Sequence, residues 1–312
     1  MFQINQVIPD LFNFRTIITD LCDGRFVAQE WQATNVGQKP KAFREGGESF
    51  VFLVQDKSLN MRPAVIKLAK PAIRENKKLL ARFFRGAAIE AQLHELVGGI
   101  PDVYETGEFY YIMEYVAGRP LLDYVKSLQS FSYDLIIEIL KIIQLMHESG
   151  IIHRDIKPDN ILVKGAKPYL LDFGLAKQPD NPSQELTRIG EKLGTPLYQT
   201  EMLKEDAAKA TYADDLQQVG YLIWVIAEKR VPASEDEYTA YLTMLNPCPD
   251  WAKYFFGCIS GEYKTALQLI KAIETDHKIS EKATYTILTA EGLITAIDNV
   301  TQQIIKKEVY AI

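Results

Sequence analysis

The sequence predicts an α+β chain in which strands come first and helices dominate afterwards. Residues 41–70 alternate as strands do, and Tyr110 to Tyr115 reads as another strand. A helix-like run lies between them and is broken at Gly99-Ile100-Pro101. From about Leu121 the chain reads as mostly helical, with Ile136, Ile139, Leu140, Ile143 and Met146 at helical spacing. A chain of 312 residues holds one large domain or a domain in two lobes.

Residues 1–40 are mixed. Ile17-Ile18 and Phe26-Val27 look buried or strand-like, while Asp23-Gly24 and Gly37 to Pro40 look like turns. An extra packing layer on the strand-rich part is the expectation, with a regulatory or docking segment as the alternative. Arg44 to Val51 is a glycine-containing turn between strands. Ala64-Val65-Ile66-Lys67 is an apolar strand that ends on one lysine, a place where a solvated edge residue is common. The basic stretch Lys70 to Arg85 leads into a helix with Glu90 set among Ala87, Ala88, Ala91 and Leu93. Val103-Tyr104 then reads as a further strand.

Ile152 to Leu162 packs an acid (Asp155), a cation (Lys157) and an amide (Asn160) into one short loop. Pro158 removes a backbone donor and fixes one φ, so the loop is not helix interior. Ile161-Leu162-Val163 reads as a buried strand, and Tyr169-Leu170-Leu171 runs into Asp172-Phe173-Gly174. Residues 175–196 are polar and read as a long loop. Tyr221 to Ile226 is apolar, and Ala290 to Ile305 has apolar positions at helical spacing.

The ordered string His153-Arg154-Asp155-Ile156-Lys157-Pro158-Asp159-Asn160, followed by Asp172-Phe173-Gly174, resembles the catalytic loop and metal-binding motif of eukaryotic-type (Hanks-type) serine/threonine protein kinases. The resemblance covers roughly residues 41–275. It implies a bilobal α+β fold: a small antiparallel β-sheet lobe with one helix (41–113), a hinge (114–118) and a larger, mainly helical lobe (119–275). Residues 1–40 become an N-terminal extension and 276–312 a C-terminal helical extension.

What the resemblance implies for chemistry is specific. Lys67, paired with Glu90, orients the α- and β-phosphates of ATP. Asp155 acts on the acceptor hydroxyl of a protein substrate and Lys157 on the γ-phosphate. Asn160 and Asp172 hold Mg²⁺, for which hard oxygen donors are suited. Gly46, Gly47, Val51 and Val65 belong with Lys67 on the nucleotide side. Met113 stands behind the adenine, the backbones of Glu114 and Val116 meet its edge, and Leu162 closes the slot from below. Lysine two residues after Asp155, with Gly194-Thr195, resembles the serine/threonine branch.

Several positions depart from the family pattern. Arg44 and Ser49 replace the first and third glycines of the phosphate loop, and Glu48 at its tip would repel phosphates unless turned away. Gln199-Thr200 replaces Ala-Pro ahead of Glu201, and Lys264 is the nearest candidate to pair with Glu201. The apolar position one turn after Glu90 falls on Leu93 or His94. Asp215 and Gly220 resemble the opening of the family's central large-lobe helix. Arg154 should meet an anion: a phosphate on Thr187 (favoured) or Ser183, or a carboxylate such as Glu185 or Glu191. Thr195 is expected to engage Asp155 and Lys157 instead.

Composition excludes other classes. Net charge is −6 and there is no long Lys/Arg block, which argues against a nucleic-acid partner. Hydrophobic residues at 47% and charged residues at 24% exclude wholesale disorder. Cys22, Cys248 and Cys258 are far apart and read as buried thiols of a reducing, cytoplasmic compartment. The four histidines are scattered, no apolar run approaches the ~20 residues of a membrane span, and no signal-peptide pattern opens the chain. A small-molecule kinase of the same fold is disfavoured by residues 187–201. A non-catalytic, kinase-shaped binding module is disfavoured because no catalytic position is empty.

Overall fold

The computed structural model describes residues 25–28, 44–45, 47–178, 196–234, 237–238, 240 and 248–287. The alternating residues of the first part form one antiparallel sheet. Its strands are β1 (Phe26–Ala28), β2 (Arg44–Glu45), β3 (Ser49–Asp56) and β4 (Arg62–Ala69). A one-turn helix α1 (Pro71–Arg74) and the long α2 (Lys77–His94) follow, then β5 (Val103–Thr106) and β6 (Tyr110–Glu114). The small lobe thus has two helices where one was expected. Pro71 opens α1, and the Asn76 side chain, accepting from the Lys78 and Leu79 amides, starts α2 afresh.

The sheet order is β1-β3-β4-β6-β5, with β2 also on β3. Alternation along β4 decides which side chains face α2. Ala64, Ile66 and Leu68 pack on one face with Phe26, Val54, Tyr110 and Ile112. Val65 and Ala69 pack on the other with Phe83, Ala87, Tyr111 and Met113, and Lys67 shares the parity of Val65 and Ala69.

Strand β1 shows part of residues 1–40 acting as a packing layer; Ile17-Ile18 lie outside the described residues. Its anchor is Asp56, whose buried side chain accepts from Arg25 at 2.7 and 3.1 Å and from the Ser58 hydroxyl and amide. These donors, the Arg25 guanidinium first, hold the Asp56 carboxyl at about 2, below its ordinary 3.8. A depressed folded value contributes stability above the unfolded pKa and loses it as pH falls through the folded one. Asp56→Asn should therefore lower stability at pH 7 by about 1–2 kcal/mol, after discounting for the half-exposed Arg25. Denaturant melts should show the gap to wild type closing between about pH 4 and 2; a gap that persists at pH 2 would mean the charge is not its source.

The second part opens with a small three-stranded sheet. Its strands are β7 (Arg119–Pro120), β8 (Ile161–Lys164) and β9 (Lys167–Leu170), with β8 central. Between β7 and β8 lie α3 (Leu121–Lys126) and α4 (Tyr133–Glu148), the latter capped by the Ser132 hydroxyl. After the loop at 171–178 come α5 (Glu201–Glu205), α6 (Tyr212–Glu228), α7 (Ala252–Ile259) and α8 (Ala266–Ile287). A continuous core runs through α4, α6, α7 and α8 and reaches back to Ile89 and Leu93 of α2. Helix α8 crosses the expected boundary at 275 without a break, while Ala290 to Ile305 lie outside the described residues.

Cys258 is buried, but Cys248 is exposed, which corrects the expectation of buried thiols; Cys22 is outside the described residues. Among the described residues no His/Cys/Asp/Glu group forms a metal cluster, and no helix is long and apolar enough to cross a membrane.

Candidate active site

The loop after α4 is held in place by α6. Asp215 and Gln218, one turn apart and both fully buried, point at its backbone. Asp215 accepts from the His153 and Arg154 amides, each at 2.8 Å, and lies 2.9 Å from His147 Nε2. Gln218 accepts from the Ile156 amide at 2.8 Å and donates to the Arg154 and Tyr198 carbonyls. This grip sustains Arg154 at φ +67°, a left-handed conformation that costs an ordinary residue roughly 1–2 kcal/mol. Asp215 was legible as a family-like position. Gln218 was not, although a glutamine inside the apolar run Leu216 to Ile226 is itself a signal of buried hydrogen-bonding work.

On this frame Asp155 stands with its carboxylate accepting from Lys157 Nζ at 2.7 Å and Asn160 Nδ2 at 3.0 Å. Asn160 Nδ2 also donates to the Asp155 carbonyl at 2.9 Å, so the end of the amide left to face a cation is its oxygen. His153 is buried, and burial pushes its imidazole below the ordinary value. The neutral ring accepts from the Asp155 amide at Nδ1 and lies 3.3 Å from the Leu171 carbonyl at Nε2. Its ring makes a T-shaped contact with Phe173, the ring centroids 4.7 Å apart.

Asp172 also adopts φ +67° and presents its side chain to the cleft, with the Gly174 amide 3.4 Å from Oδ1. The surrounding protein disfavours its charge, but Lys67 and the Gly174 amide outweigh this and hold the carboxyl below its usual range. Behind it, the Asp172 amide donates to Glu90 Oε1 at 3.1 Å, and Lys67 Nζ stands 3.8 Å from the same oxygen. Burial opposes the Lys67 charge, yet Glu90, Tyr111 and Asp172 push its pKa up, so the amine stays protonated. Gly86 makes this approach possible: a Cβ there would stand 2.9 Å from the Gly174 nitrogen. The position after Glu90 resolves to Leu93, fully buried in the core with Phe173, while His94 Nδ1 meets the Ile100 carbonyl at 2.8 Å.

The expected adenine slot is apolar where it should be. Val51, Val65, Ala69 and Met113 pack in one cluster, with Met113 2% exposed. Leu162 is half-buried, and the chain at Gly118 lies so close that a Cβ would be 3.1 Å from Leu162 Cβ. The Glu114 amide is committed to the Asp102 carbonyl, and the Val116 carbonyl accepts from Gly118. The Val116 amide has no hydrogen-bond partner among the described residues, and this buried donor is what an adenine edge would meet. The donor set therefore fits Mg-ATP: hard oxygens on Asp172 and Asn160, a cation at Lys67 and an unspent amide at the hinge.

Gly46 lies outside the described residues and Gly47 is exposed with open space around it. Glu48 is not turned away. A methyl added at Gly174 would stand 3.3 Å from both Glu48 Oε2 and Asp172 Oδ1, so the loop-tip carboxylate reaches the phosphate side of the cleft. Burial, then Asp172, push its pKa up against Arg82 and Lys67. Removing this like charge should help an anionic ligand. Glu48→Gly is expected to lower the Michaelis constant for ATP by about fivefold, the equivalent of roughly 1 kcal/mol, with Glu48→Gln in the same direction. A raised constant in both variants would show that Glu48 supports the lid.

One expectation about the large lobe is corrected. Lys264 does not pair with Glu201; its Nζ donates to the Gly261 carbonyl, and Glu201 is exposed beside Lys204 at 3.0 Å. Thr200, in place of proline, is buried, caps α5 through the Leu203 amide and donates to Asp214 at 2.5 Å. That bond ties the segment to α6 without an ion pair. The Arg154 guanidinium donates to the Leu175 carbonyl at 2.6 Å and to the Ala207 carbonyl at 2.8 Å. Ser183, Thr187 and Thr195, with Glu185 and Glu191, lie outside the described residues.

The family model described as the protein kinase domain matches residues 41–288. A probable serine/threonine-protein kinase of Clostridium perfringens is 34% identical over 202 residues, covering 62% of this chain and 28% of that one. Serine/threonine-protein kinase C of Synechocystis is 36% identical over 198 residues (56% and 36%), and serine/threonine-protein kinase PknA of Nostoc is 32% identical over 222 (63% and 38%). The chain spans about a third of the length of these relatives.

Proposed function

The chain belongs to the protein kinase family, and we propose that it transfers the γ-phosphate of Mg-ATP to serine and threonine hydroxyls of proteins. The observation that carries this reading is the meeting of two clusters across one cleft. Asp155, Lys157 and Asn160 come from the loop after α4; Lys67, Glu90 and Asp172 come together at the join of the lobes. The kinase unit is read as residues 41–275, with the hinge at 114–118.

Phosphoryl transfer asks for positioning and charge neutralisation more than for covalent help. Lys67, kept charged by Glu90, binds the α- and β-phosphates. Gly47 of the lid, Val51, Val65, Met113 and Leu162 enclose the base, whose edge meets the Val116 amide and the Glu114 backbone. Asn160 and Asp172 would hold Mg²⁺, which supplies charge neutralisation at the phosphates when bound. Asp155 orients the acceptor hydroxyl and takes its proton as the hydroxyl oxygen bonds to phosphorus and the β–γ bridging bond breaks. Lys157 steadies the γ-phosphate. The free thiols of Cys248 and Cys258 fit a reducing, cytoplasmic setting.

The test is transfer from labelled ATP to a generic protein, followed by phospho-amino-acid analysis. Label on serine or threonine is expected. Label found only on small molecules would favour a metabolite kinase, and none at all a binding module. Autophosphorylation on Thr187 or Ser183 belongs to the same reading, and intact mass of the same sample measures it.

A further inference from the structure

Helix α6 turns one face to two stretches of chain. Asp214, Asp215 and Gln218 lie within one turn of each other on that face, and all three are buried. Asp215 takes the loop that carries Asp155, through the His153 and Arg154 amides. Asp214 takes the segment 196–200 ahead of α5, by accepting from the Thr200 hydroxyl. Gln218 takes both. Its Oε1 accepts from the Ile156 amide at 2.8 Å, and its Nε2 donates to the Arg154 and Tyr198 carbonyls, each at 3.1 Å. A side-chain amide offers two N–H donors and an acceptor oxygen, so each polar group is matched here. The reverse placement of nitrogen and oxygen would set like against like at all three bonds.

Arg154 directly precedes Asp155, so one nitrogen of Gln218 joins the Asp155 loop to the segment at Tyr198. The segment has other fastenings on the same side. The buried Tyr238 donates its hydroxyl to the Leu197 carbonyl at 3.2 Å, and its ring packs on Trp224 of α6 at 5.2 Å. Glu201, at the far end, is exposed beside Lys204. The carbonyls of residues 197 and 198 and the Thr200 side chain are therefore all drawn inward, and the Tyr198 ring is buried with them. A protein acceptor that presents a hydroxyl to Asp155 has to lie along whatever flanks that loop. The segment is such a wall, since its Tyr198 carbonyl shares one nitrogen with the Arg154 carbonyl.

We infer that Gln218 is a positioning residue for the protein acceptor: it fixes the segment 196–200 relative to Asp155, so that a hydroxyl held along the segment arrives at the carboxylate. This rests on the kinase reading above and extends it to the acceptor side. The three hydrogen bonds of Gln218 go to backbone groups and not to Lys67, Asn160 or Asp172, so the nucleotide side should be indifferent to it.

Gln218→Met tests it, because the volume is kept and only the hydrogen bonds are lost. Gln218→Glu is the second variant; it keeps an acceptor for the Ile156 amide and exchanges the paired N–H donors for an oxygen. In both, kcat/KM for the protein acceptor should fall about tenfold, with the Michaelis constant for ATP within about twofold of wild type. Slow hydrolysis of ATP to water, which needs no acceptor chain, should fall by about threefold at most. Protein transfer and hydrolysis falling by the same factor would mean that Gln218 only holds the loop, and would overturn the inference. So would unchanged kcat/KM for the protein, or a Michaelis constant for ATP that rises in step. Hydrogen exchange on nucleotide-free protein needs no catalysis. In Gln218→Met the Leu203 and Lys204 amides, which are bonded to Thr200, should exchange several-fold faster, together with that of Ile156. Faster exchange confined to residues 153–156 would overturn the inference. Exchange that spreads to 203–204 in a chain whose wild type transfers no phosphate would leave the coupling standing and sink the kinase reading alone.

Discussion

Asp155→Asn is expected to abolish phosphate transfer while ATP still binds. The substitution keeps the shape of the side chain and removes its charge and its ability to accept a proton. General-base contributions are roughly 10²–10⁴-fold, and the turnover number should fall within that range. The loop should not collapse, because Asp215 and Gln218 hold it through the backbone of residues 153, 154 and 156, not through the Asp155 side chain. Single-turnover kinetics, a thermal melt and nucleotide titration decide it together. Retention of most of the wild-type turnover would remove Asp155 from its role, and loss of ATP affinity in parallel would move that role to the nucleotide.

Removing the Asp172 carboxylate should have the largest effect on binding. Its side chain faces the cleft near Lys67, so it is placed to bridge a cation to the phosphates. Asp172→Ala is expected to weaken Mg-ATP binding at least tenfold, more than about 1.4 kcal/mol. Because alanine at φ +67° adds strain of its own, Asp172→Asn serves as the partner variant, keeping the local geometry near Gly174. Calorimetry with and without a chelator separates the causes. Wild-type affinity should drop when the metal is withdrawn, and both variants should be nearly indifferent to it. Unchanged Mg-ATP affinity in Asp172→Asn would count against the assignment.

Much of the candidate site was legible because its chemistry sits in contiguous strings. Asp155, Lys157 and Asn160 are close in sequence, and a rigid loop makes them close in space. Lys67 could be found because its register after the glycine-bearing turn resembles the family's phosphate-binding lysine, and Glu90 because an acid in a small, apolar setting is the best partner for it. The same logic failed for Glu201. Its nearest cation in the family register, Lys264, turns to the Gly261 carbonyl, and a threonine hydroxyl holds the segment instead. No local pattern records that choice.

The sequence by itself determined the order of strands and helices and the polar loop with its acids. These follow from periodicity and from side-chain chemistry, which act over a few residues. Only the tertiary structure decided that Glu48 turns into the cleft, that Arg154 is met by the Leu175 and Ala207 carbonyls, and that Gln218 holds the loop after α4. Each of these depends on which groups from distant elements arrive within hydrogen-bonding or packing reach. A buried polar atom must be satisfied by whatever the packed chain brings to it, and that partner is set by the three-dimensional register of sheet and helix, not by spacing along the chain.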